Sequence, residues 1–311
     1  MSARGERKVV LVTRRTRLED LVARYHTLAQ ARFYIEHLGA DFSDYLRENA
    51  AYSSSLQVTV EALQAWGRYQ IVERGYLPNF LFGADDIVVA LGQDGLVANT
   101  LKYLDGQPLI GVNPEPTRWD GVLLPFEAKD LALVLDDAAA GTRPIQTVTI
   151  AQALLSDGQI LRAVNDLFIG PRTHSSALYE IEYAGKREAQ SSSGVIVSTG
   201  LGSTAWIKSV VTGSLGIAQA LHLVDQPVPY RAQAWDAERL TFAVREPFPS
   251  RSSTASMIFG HVTRAQTLKL YSRMPDNGVI FSDGMEADFL RFTAGMEASV
   301  TISATQGRLL R

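Results

Sequence analysis

The sequence predicts an α/β N-terminal domain, residues 1–143, followed by a mostly β C-terminal domain, residues 144–311. Three observations predict it. Residues 86–95, Asp-Ile-Val-Val-Ala-Leu-Gly-Gln-Asp-Gly, form an apolar, β-branched run that stops at a glycine-flanked acid and passes into a helical stretch; this is how a buried parallel strand feeds its helix. Ahead of that run stand one further strand-like segment and two helical ones. Behind it, from about residue 136, the texture changes to short apolar pieces separated by glycine-rich and polar turns, the pattern of antiparallel sheets.

Taken in order, residues 9–12 read as the first strand. Thr16 and Glu19 have capping-box spacing, so a helix should start at residue 17. Its apolar positions Leu18, Leu21, Tyr25, Leu28, Ala31 and Ile35 keep helical period up to a stop at Gly39. A second helix is expected over residues 56–73, ended by Gly75, with Val60, Leu63, Trp66 and Val72 toward the core. The strand 87–91, a helix over 96–104 and a strand 108–112 ending on Asn113 complete the domain. Residues 136–144 read as a linker. Beyond it, strands are expected at 145–153, 159–164, 177–183, 195–198, 240–244, 267–271, 278–281 and 298–302. Ser156-Asp157-Gly158 and Ala184-Gly185 are hairpin turns.

Composition narrows the function. The chain has 311 residues, is 46% hydrophobic and 20% charged, and carries a formal net charge of −3. That balance offers no basic footprint for nucleic acid, and no apolar run is long enough to span a bilayer. Cysteine is absent, which removes disulfides, thiolate metal sites and cysteine nucleophiles and suits a cytoplasmic setting. The polar start at residues 1–8 lacks the apolar centre of a signal peptide. His26, His37, His174, His222 and His261 have no metal-ligand spacing, so no metal site is expected from protein side chains.

Three motifs carry chemistry. Ligands of open α/β sheets sit beyond the carboxyl ends of strands, where Gly92-Gln93-Asp94-Gly95 falls. It is either a tight turn with a solvated acid or a phosphate-facing loop whose Asp94 acts on a substrate hydroxyl. Residues 198–206, Ser-Thr-Gly-Leu-Gly-Ser-Thr-Ala-Trp, are rich in small residues that free main-chain N–H groups for a ligand; Trp206 either stacks on a base or fills core. Asn165-Asp166 is either a turn pair or a grip on two ribose hydroxyls. Arg14, Arg15 and Arg17 follow the first strand and read as a solvated basic face, with a phosphate contact as the other reading.

In this order, and with the late pair Asp283-Gly284, these motifs resemble the NAD kinase family over roughly residues 84–302. Residues 110–116, Ile-Gly-Val-Asn-Pro-Glu-Pro, the run Ser192-Ser193-Gly194, and Arg245-Glu246-Pro247 are similar to its mitochondrial-type branch. The resemblance implies a Rossmann-like α/β domain and a β-rich nucleotide-binding domain. It implies transfer of phosphate from ATP, or another donor, to the 2′-hydroxyl on the adenosine ribose of NAD, giving NADP, with Mg²⁺ arriving on the donor phosphates. Asp94 is then the catalytic acid–base group. Gly95, Asn165, Asp166, Thr204, Ala205 and Trp206 bind the acceptor, with Asn165 and Asp166 on the nicotinamide-side ribose and Thr204 to Trp206 along adenine. Gly92, Gln93, Thr199, Gly202 and Ser203 face the phosphate donor. The family also implies a homodimer or larger assembly.

Two positions depart from the family pattern: Gln93 stands in place of a glycine and Leu96 in place of a threonine. Leucine removes a hydroxyl that could bind donor phosphate. Acceptor chemistry is expected to persist while donor contacts change. A non-catalytic nucleotide-binding regulator on the same scaffold, and a kinase for another hydroxyl acceptor, are the alternative readings.

Overall fold

The computed structural model describes residues 7–224 and 229–311. These divide into two compact units, one running up to residue 146 and regaining residues 308–311, the other comprising residues 147–307.

The first unit begins with β1 (Val9–Thr13), α1 (Arg17–Tyr25), α2 (Leu28–His37) and α3 (Phe42–Trp66). There follow β2 (Tyr69–Glu73), β3 (Ile87–Leu91), α4 (Asp94–Leu101), β4 (Pro108–Asn113), β5 (Phe126–Glu127), α5 (Leu131–Ala140) and β6 (Ile145–Val148). β1 lies parallel between β2 and β3, and β3 is parallel to β4. Every residue of β1 and β3 is buried, as expected for central parallel strands covered on both faces. Val9, Leu11, Val89, Leu91 and Ile110 pack against Tyr52, Leu63 and Trp66 of α3 and Leu131, Val134 and Leu135 of α5.

The second unit contains β7 (Ala151–Leu155), β8 (Ile160–Ala163), β9 (Asp166–Pro171), β10 (Ala177–Tyr183), β11 (Lys186–Ser192), β12 (Val195–Ser198), α6 (Trp206–Ala220) and β13 (Leu240–Val244). It continues with β14 (Phe259–Val262), β15 (Leu268–Ser272), β16 (Gly278–Ser282), β17 (Met285–Arg291) and β18 (Glu297–Ile302). These make two six-stranded sheets, ordered β11-β10-β15-β18-β7-β8 and β14-β13-β12-β9-β16-β17. Their alternate side chains, such as Ala151, Ala153 and Leu155, Leu240, Phe242 and Val244, and Ala298, Val300 and Ile302, meet in one core. That is the period of two at work in sheets packed face to face. Finally β19 (Gly307–Leu310) runs parallel to β4 in the first sheet.

The expected α/β-then-β fold is what the chain adopts, with local corrections. The helix expected from residue 17 to 39 has its capping box, Thr16 with Glu19, but it breaks at His26, whose φ of 68° is left-handed, and Thr27 caps a new helix by accepting from Gln30 N–H. The helix expected over 56–73 spans Phe42–Trp66 and stops at Gly67, φ 127°. Residues 69–73 are instead β2, an edge strand in which Val72 alone is buried; helical spacing of Trp66 and Val72 conceals that change. The linker expected at 136–144 is in part helix: α5 runs through Ala140 and ends on left-handed Gly141. α4 begins at Asp94, two residues earlier than expected.

One strap in the second unit yields a stability test. Glu188 of β11 accepts main-chain N–H groups of Ser256 (3.1 Å) and Met257 (2.8 Å) and hydroxyls of Thr254 and Ser256. Burial pushes its carboxyl up, but hydrogen bonds led by the Ser256 hydroxyl bring it down to about 2 from 4.5. A depressed carboxyl contributes its stability above its unfolded value and loses it as pH falls through the folded one. Glu188→Gln should therefore lower Tm by a few degrees at pH 7. The gap should close between pH 4.5 and 2 in paired thermal melts.

Candidate active site

In the first unit the site residues lie at the carboxyl ends of β1, β3 and β4. β3 ends at Leu91, and the turn Gly92-Gln93 leads into α4, whose first residue is Asp94. Asp94 is half-buried, and its carboxylate sits in the first turn of the helix, where the helix dipole favours negative charge. Its Oδ1 accepts the Leu123 main-chain N–H at 2.8 Å. The neighbouring Val122 carbonyl accepts from the Arg311 guanidinium at 2.9 Å. Burial lowers the Arg311 pKa while the Asp94 charge raises it. The 121–124 turn thus holds an acid from the start of α4 and a cation from the last residue of the chain. Gly111 on β4 permits this approach, because a Cβ there would lie 2.0 Å from the Leu123 carbonyl oxygen.

The two glycines of the loop have different tasks. A Cβ on Gly92 would come to 2.9 Å from Leu96 Cδ2 and 3.4 Å from Arg14 Cδ, so Gly92 accommodates the protein's own packing. A Cβ on Gly95 would meet nothing within 4 Å, and Gly95 is exposed. Leu96 is 3% exposed; it packs beneath the turn. Gln93 is the N-cap of α4 but makes no side-chain capping bond.

Of the three arginines after β1, Arg15 is exposed, as a solvated face would have it, while Arg14 and Arg17 turn to buried or half-buried acids. Arg14 donates to Glu48 Oε1 at 2.9 Å, and Arg17 donates to Glu48 Oε2 at 2.8 Å and to Asp44 at 2.8 Å. Glu48 is 2% exposed. Burial would raise its pKa, but Arg17 and Arg14 outweigh that and lower it. Tyr52 finishes the arrangement: its hydroxyl accepts from Arg14 N–H at 3.0 Å and donates to the Leu91 carbonyl at 3.2 Å, tying the end of β1 to the end of β3.

In the second unit Asp283 organises the other residues. From a left-handed backbone, φ 53°, its carboxylate accepts main-chain N–H groups of Val164 (2.8 Å), Asn165 (2.7 Å) and Asp166 (3.2 Å). Asn165 is half-buried and Asp166 is 8% exposed, with its Oδ1 lacking a hydrogen-bond partner. Burial pushes the Asp166 carboxyl up to about 7, with the nearby Asp283 charge adding and the Ser198 hydroxyl opposing. An orphaned, buried carboxyl oxygen is a group that a ligand hydroxyl would satisfy.

The 198–206 loop is braced from within. Thr199 and Ser203 are fully buried. Thr199 Oγ1 donates to the Val164 carbonyl and accepts Gly202 N–H at 3.2 Å. Ser203 Oγ donates to the Gly200 carbonyl at 2.6 Å and accepts Gln233 N–H at 2.9 Å. A Cβ on Gly200 would lie 1.8 Å from the Ala234 carbonyl oxygen, and one on Gly202 would lie 2.2 Å from that of Asn165. These glycines admit neighbouring backbone, and the Gly202 N–H is already used. Thr204 and Ala205 are exposed. Trp206 is half-buried at the start of α6, stacked 5.6 Å from Phe168, with the Arg245 guanidinium 5.5 Å from its ring centre.

Thus Asn165, Asp166, Thr199, Gly202, Ser203 and Asp283 come together in the second unit, while Gly92, Gln93, Asp94 and Gly95 stand in the first. Sequence reading missed Leu123 and Arg311 beside Asp94, and Tyr230, whose hydroxyl donates to the Ser203 carbonyl at 2.6 Å. Leu123 contributes its main-chain N–H, Arg311 and Tyr230 bond main-chain carbonyls, and none of them carries a motif. Among the described residues no group of three or more His, Cys, Asp or Glu side chains is placed to hold a metal ion, and no helix is long and apolar enough to cross a membrane.

No family model matches the chain. An NAD kinase of Chlorobaculum tepidum is 28% identical over 130 residues, covering 40% of this chain and 44% of that protein. The mitochondrial NAD kinase 2 of Rattus norvegicus is 27% identical, covering 64% of this chain and 59% of the relative. The human mitochondrial NAD kinase 2 is 25% identical, covering 80% and 72%. The chain thus spans about half the length of the first two relatives. Yeast NADH kinase, solved with NADH, superposes with a TM-score of 0.57 at 14% identity, covering 98% of this chain and 83% of that one. An Archaeoglobus fulgidus NAD kinase, solved with ATP, gives 0.55 at 15% identity, covering 98% and 93%. The chain therefore has the NAD kinase fold, and its relatives by sequence are NAD kinases, the mitochondrial type among them.

Proposed function

We propose that this chain is an NAD kinase-like phosphotransferase that moves a phosphoryl group from ATP to the 2′-hydroxyl on the adenosine ribose of NAD, giving NADP. One observation carries the reading above the others. Asp94, half-buried at the end of a buried strand, has one carboxylate oxygen fixed by Leu123 N–H and stands beside open space at Gly95. The other oxygen is left to orient the acceptor hydroxyl and take its proton. Asn165 and Asp166 bind hydroxyls of the nicotinamide-side ribose, and the unpartnered Asp166 Oδ1 supports that role. Thr204, Ala205 and Trp206 line the base.

On the donor side, Gln93 and the uncapped first turn of α4 offer main-chain N–H groups to phosphate, while Gly92, whose own N–H donates to the Val112 carbonyl at 3.1 Å, lets the turn pack against Leu96. Thr199, Gly202 and Ser203 shape the loop through the bonds described above. Mg²⁺ supplies charge neutralisation on the donor phosphates and needs no cage of protein side chains. The location proposed is cytoplasmic and the assembly a homodimer; the mammalian relatives are named as mitochondrial, so cell fractionation and light scattering decide these two points.

The non-catalytic regulator remains the second reading, because Leu96 buries an apolar side chain where the family has a hydroxyl. One assay separates the two. Incubation with Mg²⁺ and ATP, or polyphosphate, together with NAD or NADH should give a 2′-phosphorylated product. Asp94→Asn should lower kcat by about 100-fold or more while the variant stays folded. Binding of nucleotide without turnover by the wild-type chain would establish the regulator instead.

A second test rests on Asp166. Its folded pKa is raised, so its contribution to stability is complete below the ordinary 3.8 and is lost as pH rises through about 7. Asp166→Asn should raise Tm by several degrees at pH 8 and change it little at pH 4. An equal effect at both values would show that the carboxyl is not held protonated by burial.

A further inference from the structure

The indole of Trp206 is covered on both counts by the protein itself. Buried Phe168, 5% exposed, stacks against it with the ring planes 13° apart, and Phe281 stacks in turn on Phe168 at 4.8 Å. The guanidinium of Arg245 also lies over the ring, 5.5 Å from its centre. With Phe168 stacked on the indole and Arg245 over it, a base that stacks on Trp206 competes with the guanidinium.

The backbone under Arg245 is fixed. Its N–H donates to the Gly194 carbonyl at 2.8 Å, and its carbonyl accepts Ser193 N–H at 2.9 Å. Glu246 next to it has a φ of 41°, in the left-handed region, where a side chain is unfavourable. Conformations of that kind persist where surrounding structure imposes them, and they cluster at ligand sites. The guanidinium end is held more lightly. It pairs with Glu246 at 3.5 Å, and the two side chains are 31% and 65% exposed.

From this geometry we propose that Arg245 is the resident occupant of a base-stacking face on Trp206, and that the planar base of a dinucleotide displaces its guanidinium. This rests on the phosphotransferase reading and adds a specificity-determining residue to it. Magnitudes favour displacement. An exposed cation–π contact and an exposed ion pair each hold the guanidinium by a factor of a few. Stacking of a base on an aromatic side chain contributes roughly 5- to 150-fold. The base prevails, and the binding constant is reduced by the cost of moving Arg245.

The test is a calorimetric titration of the full chain with NAD, with adenosine 5′-monophosphate and with nicotinamide mononucleotide, the last two showing which base takes the face. Arg245→Ala should tighten NAD binding about three- to tenfold. The same change in a Trp206→Leu background should do nothing, and Trp206→Phe, which keeps a ring, should retain part of the gain. In wild type, the Arg245 side-chain N–H resonance, displaced by the indole ring current, should move toward its ordinary position as NAD is added. Weaker or unchanged binding by Arg245→Ala overturns the displacement while leaving the phosphotransferase reading intact if wild type still forms product. An equal gain without Trp206 overturns it as well. Failure of every variant and of wild type to bind nucleotide overturns both.

Discussion

Asp283 receives three successive main-chain N–H groups, those of Val164, Asn165 and Asp166, and it does so from a left-handed backbone. That conformation costs an ordinary side chain about 1–2 kcal/mol, less for aspartate, whose short polar group bonds locally. Three charge-assisted bonds offset it. Their effect is to turn the chain between β8 and β9 so that the Asn165 carbonyl receives Thr199 N–H and the Asp166 side chain is left buried with an oxygen unpaired. Everything that makes the second unit a candidate nucleotide site follows from that turn. Remove the carboxylate and three main-chain donors need other partners, while the brace between residues 164–166 and the 198–206 loop loses its anchor.

The loop it supports shows why glycine and small hydroxyl residues occur together. Carbonyl oxygens of Ala234 and Asn165 occupy the space that side chains on Gly200 and Gly202 would need. Backbone packed that closely leaves donors and acceptors without water, and Thr199 and Ser203 satisfy them. Of the loop, Thr204 and Ala205 remain exposed. A motif that resembles a ligand cradle is thus half scaffold. The same division holds in the first unit, where Gly92 serves packing and Gly95 faces open space.

These divisions explain what was legible in the sequence. The buried strands 9–12 and 87–91 stand out because both faces are apolar, and the β-rich half because its turns are marked by Ser156-Asp157-Gly158 and Ala184-Gly185. The edge strand β2 was not legible, since one buried residue in five leaves no alternation to detect. The acids Asp94 and Asp166 were legible as candidate site residues, and Asp283 only as part of a late Asp-Gly pair. Their partners were not. Leu123 contributes only an N–H, Glu48 and Tyr52 act from the middle of a long helix, and Arg311 arrives at the end of β19, which pairs with β4 through Arg308 against Pro108, far apart in the sequence. Local periodicity holds no record of contacts at such separations.

The departure at Leu96 then acquires a structural meaning. Its side chain fills the space that a Cβ on Gly92 would enter, so glycine at 92 and leucine at 96 depend on each other. A smaller hydroxyl residue at 96 would leave a gap under the turn and beside Arg14, whose guanidinium also lies on Tyr52 at 5.1 Å. Burial of a leucine side chain contributes roughly 2 kcal/mol, which here stiffens the segment between the end of β3 and Asp94. Against the family pattern, the turn has an apolar support in place of a hydroxyl. Phosphoryl transfer depends on positioning and on charge more than on the number of hydroxyl contacts. Leu96 is therefore compatible with the proposed role of the loop, since it supports the turn that presents Asp94.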